Sequence, residues 1–384
     1  MNTIETDRQY VAPTYRRESV VFVKGKGSLL FDETGKEYID FGSGIGVNAL
    51  GVGDPEWTDA VTRQIEKLPH ISNLYHTAPC AELAAELVGR TGMAKVFFCN
   101  SGTEANEAAI KACRKYSFDR YGRERYKIVT LERSFHGRTL AALSATGQPD
   151  LQTPFVPVVE GFRYVKAGDL AAMREAIGDD TAAVMIEMIQ GEGGVNVLDA
   201  EYVAAVAAMC KEKDVLLVVD EVQTGNGRTG TLYAYQGYGI EPDLVTTAKG
   251  LGNGLPIGAV LFNQKTACVL SAGSHGSTFG GNPVATAGAL AVLKKLTPDF
   301  LAEVERKGAY MRMRLAAMKG VKGVTGKGLM IGVAVEDAAK VKSACLTKGL
   351  VVLTAKDKVR LLPALNIPDE LIDRGLNIME EALQ

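Results

Sequence analysis

No window of this chain holds 18 uninterrupted apolar residues, so no membrane-spanning helix is expected. The opening stretch, MNTIETDRQYVAPTYRRESV, has no apolar core and carries two acids early, Glu5 and Asp7, unlike a secretory leader. An excess of either charge is missing too. With 43 basic residues against 45 acidic ones, neither nucleic acid nor an anionic membrane is expected as a partner. The six cysteines (Cys80, Cys99, Cys113, Cys210, Cys268 and Cys345) form no C-x-x-C pair, and there are only four histidines. A metal cluster is therefore not expected, and scattered thiols in a chain of this length fit a reducing, cytoplasmic setting. There is no G-x-x-x-x-G-K-[S/T] phosphate loop, no internal repeat and no low-complexity linker.

What is present centres on Val215 to Gly252. An apolar run, Val215 to Val219, ends in Asp220 and Glu221, and a second, Leu244 to Ala248, ends in Lys249. Such runs read as buried strands. In open α/β sheets ligands gather beyond the carboxyl ends of the strands. The chain thus offers an acid and an amine at two strand ends, suited to a cofactor with a protonated ring nitrogen and a covalent amine anchor.

Read in order, residues 1–20 are a polar arm. Val21 to Val23, Ser28 to Phe31 and Glu37 to Phe41 form a small antiparallel unit with a turn at Asp32-Glu33-Thr34-Gly35. Helices are expected over Trp57 to Leu68 and Ala81 to Gly89. From Lys95 strands and helices alternate, predicting an α/β domain with a mostly parallel seven-stranded sheet. The strands are placed at Val96–Cys99, Lys127–Leu131, Val156–Val159, Ala182–Ile189, Leu216–Val219, Leu244–Thr247 and Gly258–Phe262. Helices fall at Glu104 to Tyr116 and Ala200 to Lys211. The remainder reads as a small C-terminal α+β domain. Helices are placed at Ala285–Leu296, Leu301–Lys319, Ala338–Lys348 and Asp369–Leu383, and strands at Leu329–Val335, Leu350–Leu353 and Lys358–Leu362. The division drawn is 1–50, an arm with the antiparallel segment; 51–275, the large domain; and 276–384, the C-terminal domain.

Several stretches could carry chemistry. Ser101-Gly102-Thr103 follows a strand and opens a helix, where a hydroxyl and free N–H groups hold a phosphate or simply cap the helix. Gly225-Asn226-Gly227-Arg228-Thr229-Gly230 matches G-x-G-x-x-G, but no amphipathic helix follows, which argues against dinucleotide binding. Asp220 is a paired buried acid or a loop cap. Lys249 is an imine-forming amine or a surface residue. Phe135 to Thr139 offers a ring to stack and, in Arg138, a guanidinium to fork a carboxylate. Ser277 to Pro283 is a hydroxyl-bearing, glycine-rich loop. Arg360, alone among Val359, Leu361 and Leu362, faces either a ligand or solvent.

Together these segments resemble the class III family of pyridoxal-phosphate aminotransferases, from about Tyr10 to the last helix. The resemblance rests on FDETGKEYIDF, FFCNSGTEANEAAIKACRKY, SFHGRTLAALSATG, IQGEGG, VVDEVQTGNGRTG, TTAKGLGNGLPIGA, HGSTFGGNP and VRLLPAL, in that order. It implies fold type I, like aspartate aminotransferase, and pyridoxal 5'-phosphate as cofactor. Lys249 then matches the covalent anchor and Asp220 the partner of the pyridine nitrogen. Gln223 matches the residue beside the phenolic oxygen, Ser101, Gly102 and Thr103 the phosphate loop, and Phe135 the ring over the cofactor. Thr278 matches a threonine reaching the phosphate of the neighbouring subunit, which implies a homodimer with shared active sites. Arg138 and Arg360 match the substrate-carboxylate arginines, and Glu192 the glutamate that neutralises Arg360 in one half-reaction.

The implied substrates are small amino and keto acids. The nearest branch transfers the terminal amine of N2-acetyl-L-ornithine to 2-oxoglutarate. Transaminases of succinyldiaminopimelate, succinylornithine, ornithine or 4-aminobutyrate would use the same residues, and a non-catalytic module on the same fold would lack Lys249 or Asp220. Ornithine-specific members carry tyrosine where Ile45 stands, which favours an acylated amine. Two departures occur. Glu187-Met188 replaces the usual Glu-Pro before IQGEGG, and Gly51-Val52-Gly53-Asp54-Pro55 replaces a histidine-rich stretch. Neither is expected to touch a residue assigned to chemistry.

Overall fold

The computed structural model describes all 384 residues. Its centre is a seven-stranded sheet. In spatial order the strands are Lys95–Cys99, Gly258–Phe262, Leu244–Thr247, Leu216–Asp220, Thr181–Ile186, Lys127–Leu131 and Phe162–Val165. Only Gly258–Phe262 runs against its neighbours; the other pairings are parallel. Leu216–Asp220 shows why these runs lack polar alternation. Successive side chains point to opposite faces. Leu217 and Val219 enter the large core that continues into the C-terminal region, while Leu216 and Val218 enter a second core against the helix Gly102–Tyr121. Both faces are covered, so all four are apolar. Facing that sheet, the helix buries Ala105, Ala108, Ala109, Ala112 and Cys113, small side chains that let it lie close.

The strand count stands, but two placements are corrected. Val156–Val159 is not a strand: Val156 is exposed at the end of a 3₁₀ turn over Thr153–Phe155, and Pro157 has no N–H to give a ladder. The edge strand is Phe162–Val165. Its run is interrupted by Arg163, which pairs with Asp180 at 2.8 Å, and so reads weakly as a strand. The run placed at Ala182–Ile189 is two elements. Thr181–Ile186 stays in the sheet, and Ile189–Gln190 pairs with Asn196–Val197. Glu187 lies at the break, beyond the sheet's carboxyl end.

The C-terminal region packs the helices Pro298–Ala316 and Ala338–Thr347 on an antiparallel sheet ordered Gly323–Lys327, Met330–Ala334, Lys358–Leu361 and Leu353–Ala355, and the last helix, Asp369–Ala382, lies against both helices. Gly323–Lys327 escapes a reading by composition, because two of its five residues are glycine. In the N-terminal part, Phe22–Lys26, Leu29–Asp32 and Glu37–Asp40 form the expected antiparallel unit. Its fourth strand comes from the other end of the chain: Ile39 pairs in parallel with Leu350. Residues Thr3–Tyr10 of the arm are helical, started by a capping box between Asn2 and Glu5.

Candidate active site

Asp220 closes the strand Leu216–Asp220 and stands in register with Thr246 of the parallel strand Leu244–Thr247. Lys249 therefore follows just past the same level. Its backbone sits in the left-handed region at φ 46°, uncommon for a residue with a side chain. Strain of this kind collects where the surroundings dictate a conformation for function. Asp220 and Lys249 line one cavity of about 300 Å³ with Ser101, Gly102, Thr103, Phe135, Glu192 and Gln223. Eight residues assigned from separate stretches of sequence thus converge on one space.

Asp220 is held on three sides. Its Oδ2 accepts from Asn106 Nδ2 at 2.8 Å and meets His136 Nδ1 at 2.7 Å, and its Oδ1 accepts from the Val222 N–H at 3.0 Å. It therefore also does the loop-capping that was its alternative reading. Asn106 is fixed by a second bond, to the His136 carbonyl at 2.7 Å. Sequence reasoning missed Asn106 and His136. Nothing in the sequence marks them, because their purpose shows only beside the acid they hold.

Burial pushes the Lys249 amine below its ordinary range. Glu192 opposes this, Arg360 reinforces it, and Asp220 and Glu187 oppose it more weakly. An amine so displaced is nearer the neutral form a nucleophile needs. Glu187, 6 % exposed, is the third overlooked group. Burial first, then the charge of Asp220, holds its carboxyl well above the usual range. Its Oε2 accepts the N–H of Phe135 at 3.1 Å. The contact is made by Glu187, which the family pattern shares; Met188, the departure, is buried, and its carbonyl accepts from Tyr238 Oη at 3.4 Å.

At the other side of the cavity, Ser101 caps the twenty-residue helix Gly102–Tyr121, accepting from the Glu104 N–H at 3.2 Å. The first N–H groups of that helix, with the positive end of its dipole, open on the cavity. A side chain at residue 102 would run into Val222, with an added Cβ 2.8 Å from its Cγ2, so the helix start approaches the Asp220 loop only as glycine.

Arg360, 2 % exposed, faces inward rather than to solvent. Its Nη1 donates to Glu192 Oε1 at 2.6 Å and to Gln223 Oε1 at 3.1 Å. Burial raises the Glu192 carboxyl, but the charge and hydrogen bond of Arg360 outweigh it and hold the group below its usual range. Arg138 and Thr278 are not in the cavity lining, though Arg138 adjoins two residues that are. The Arg138 guanidinium is exposed, 5.5 Å from the Phe135 ring centroid, while its N–H donates to Thr103 Oγ1 at 2.9 Å. Thr278 is exposed and lines a separate cavity with His70, Asn73 and Tyr75.

The family described as aminotransferase class III matches residues 10–383. The chain belongs to the class III aminotransferases. It is 49% identical to the acetylornithine aminotransferase of Haemophilus ducreyi over 383 residues, 99% of this chain and 98% of that protein. The acetylornithine aminotransferase of Aquifex aeolicus is 47% identical over 377 residues, 97% and 100% of the two chains. Among solved structures, an ornithine aminotransferase from Toxoplasma gondii, described with partial PLP occupancy at its active site, has a TM-score of 0.94 at 33% identity, covering 99% and 93%. The N-acetylornithine aminotransferase of Stenotrophomonas maltophilia has a TM-score of 0.85 at 36% identity, covering 99% and 98%.

The donor set of this class III aminotransferase fits pyridoxal phosphate. An amine of lowered basicity stands where a covalent anchor is needed. A carboxylate held by three neighbours suits a pyridinium, and a helix N-terminus suits a dianionic phosphate. Buried polar atoms without partners, His136 Nε2 and Asn106 Oδ1, cluster at the same end. That is the pattern of a site built around a polar group rather than a closed core.

Proposed function

We propose that this enzyme catalyses transamination between N2-acetyl-L-ornithine and 2-oxoglutarate, giving N-acetyl-L-glutamate 5-semialdehyde and L-glutamate, a step of arginine biosynthesis. The observation that carries the reading is the Glu192–Arg360 pair at 2.6 Å in the cavity that holds Lys249. One pocket must take a donor with a single carboxylate and another with two. A guanidinium whose counter-ion is a movable side chain serves both. With acetylornithine, Glu192 stays on Arg360 and limits the cost of a buried unpaired charge, while Arg138 takes the α-carboxylate. With glutamate, the α-carboxylate replaces Glu192 in a bidentate fork, and Arg138 takes the side-chain carboxylate.

Pyridoxal phosphate, when bound, supplies the electron sink for breaking the C–H bond at the amine-bearing carbon. Lys249 Nζ would anchor it covalently and, as a free amine, would carry the proton to and from that carbon. Asp220, fixed by Asn106 and His136, would keep a proton on the ring nitrogen. Phe135 would cover the ring, Gln223 would reach the phenolic oxygen, and Ser101, Gly102 and Thr103 would hold the phosphate. Thr278 is assigned to the phosphate of a second subunit, in a homodimer with shared sites; its exposure and its absence from the first cavity's lining support that role. The division at residues 50 and 275 goes with this reading, as does a cytoplasmic setting for six free cysteines.

The test is a set of specificity constants with 2-oxoglutarate as acceptor. The value for acetylornithine should exceed those for succinylornithine, succinyldiaminopimelate, ornithine and 4-aminobutyrate. A larger value for any of these four reassigns the substrate.

A further inference from the structure

Gln223 was assigned to the cofactor's phenolic oxygen, yet its amide sits on the substrate pair. Its Oε1 accepts from Arg360 Nη1 at 3.1 Å, and its Nε2 approaches Glu192 Oε1 at 3.4 Å. One amide therefore bridges both members of the pair. The seat is shaped for it. Gly191, next to Glu192, leaves open the space where a Cβ would lie 2.5 Å from Gln223 Cδ and 2.9 Å from its Nε2. The φ of Gly191 is not in the left-handed region, so its backbone does not require glycine; the close approach of the amide does. Arg360 Nε has no partner, which leaves the guanidinium dependent on Glu192 and Gln223 alone.

We propose that Gln223 is the third member of the Glu192–Arg360 pair, seated by Gly191, and that it biases the site toward the closed state that accepts donors with one carboxylate. This rests on the two-substrate reading of Arg360 given above. A dicarboxylate that takes Arg360 must displace the Gln223 amide as well as Glu192. The released amide is then free to turn to the cofactor side of the cavity, which Gln223 also lines. Occupation of Arg360 and contact with the cofactor's phenolic oxygen thereby become linked through one side chain. Gln223 is a positioning residue in this role, and Gly191 supplies the room.

The experiment measures binding rather than turnover. Glutarate, a five-carbon dicarboxylate without an amine, is titrated calorimetrically into the cofactor-loaded dimer of four proteins: the parent, Gly191→Ala, Gln223→Asn and Glu192→Ala. The alanine methyl evicts the amide from its seat. Asparagine withdraws it by one methylene with Gly191 intact, which keeps the test available should Gly191→Ala not fold. Both should bind glutarate about five- to tenfold more tightly than the parent, the scale of one ordinary net hydrogen bond. Glu192→Ala should tighten it at least as much. Tightening in Glu192→Ala alone overturns the role of Gln223 and leaves the two-substrate reading standing. No tightening in Glu192→Ala overturns that reading and the inference with it.

Discussion

The two ends of the active site are built differently. The cofactor end stands on one rigid element: Asp220 and Lys249 leave adjacent parallel strands of one sheet, and three neighbours fix the acid. The substrate end spans two sheets. Glu192 lies between the short strands Ile189–Gln190 and Asn196–Val197, and Arg360 comes from Lys358–Leu361 in the C-terminal sheet. One ion pair and one amide join them. In the roles proposed for them, the difference separates what stays constant from what changes within each catalytic cycle. Proton movement at one carbon needs fixed geometry, while alternation between two acids needs a contact that opens.

The largest effect should come from breaking the rigid end. Lys249→Ala should lower turnover by about 10⁴-fold or more, since it removes both anchor and proton carrier. Borohydride reduction and peptide mapping of the parent should place the pyridoxyl label on Lys249; a label on another lysine ends the assignment. Asp220→Asn should cost about 10²-fold or more in both half-reactions alike, because the lost charge serves every substrate. Near-parental turnover at saturating cofactor would contradict that.

Changes at the movable end should be smaller and unequal. Glu192→Gln should slow the acetylornithine half-reaction about tenfold more than the glutamate half. Arg360→Lys should do the reverse, because an ammonium cannot make the fork. Single-turnover traces with each donor alone read the two halves. Equal slowing of both would make the two ends alike and remove the contrast. Thr278→Ala should weaken cofactor retention by roughly tenfold, about one hydrogen bond to phosphate, measured by dialysis of the purified enzyme. Full retention would exclude the residue from the site.

The smallest effect concerns Glu221, fully buried beside Asp220 and outside the proposed chemistry. Burial raises its carboxyl to about 7, against the pull of hydrogen bonds from Thr224 and the backbone. The folded chain therefore binds a proton that the unfolded chain has released, and this stabilisation is lost as pH rises from about 4.5 to about 7. Glu221→Gln should flatten the decline of the urea midpoint over that window. An unchanged slope would mean that Glu221 does not titrate there.

The rigid end was the more legible in the sequence. Asp220 and Lys249 stand out because apolar strands end at them, and the capped start of the helix Gly102–Tyr121 carries its own signal. Asn106 and His136 left none, because a polar residue facing a core shows its purpose only when its partner is in view. Arg360 could be read either way from its strand, since alternation permits solvent on one face. Only the packing of the C-terminal sheet against the large domain decides it. Val156–Val159 failed for a related reason: apolar residues around a proline resemble a strand until their exposure is known.

The pairing of Ile39 with Leu350 has a consequence for synthesis. The N-terminal hairpin leaves the ribosome among the first elements, but the strand that completes its sheet is made almost last. At about 5–20 residues per second that interval is on the order of 15–60 s. Throughout it, Glu37–Asp40 presents an unpaired edge, which readily takes up strands from other chains. A nascent chain stalled before residue 350 would therefore aggregate through its N-terminal sheet even after the seven-stranded sheet has formed. Pulse-labelled chains truncated at residue 345 and at full length should differ in sedimentation for this reason.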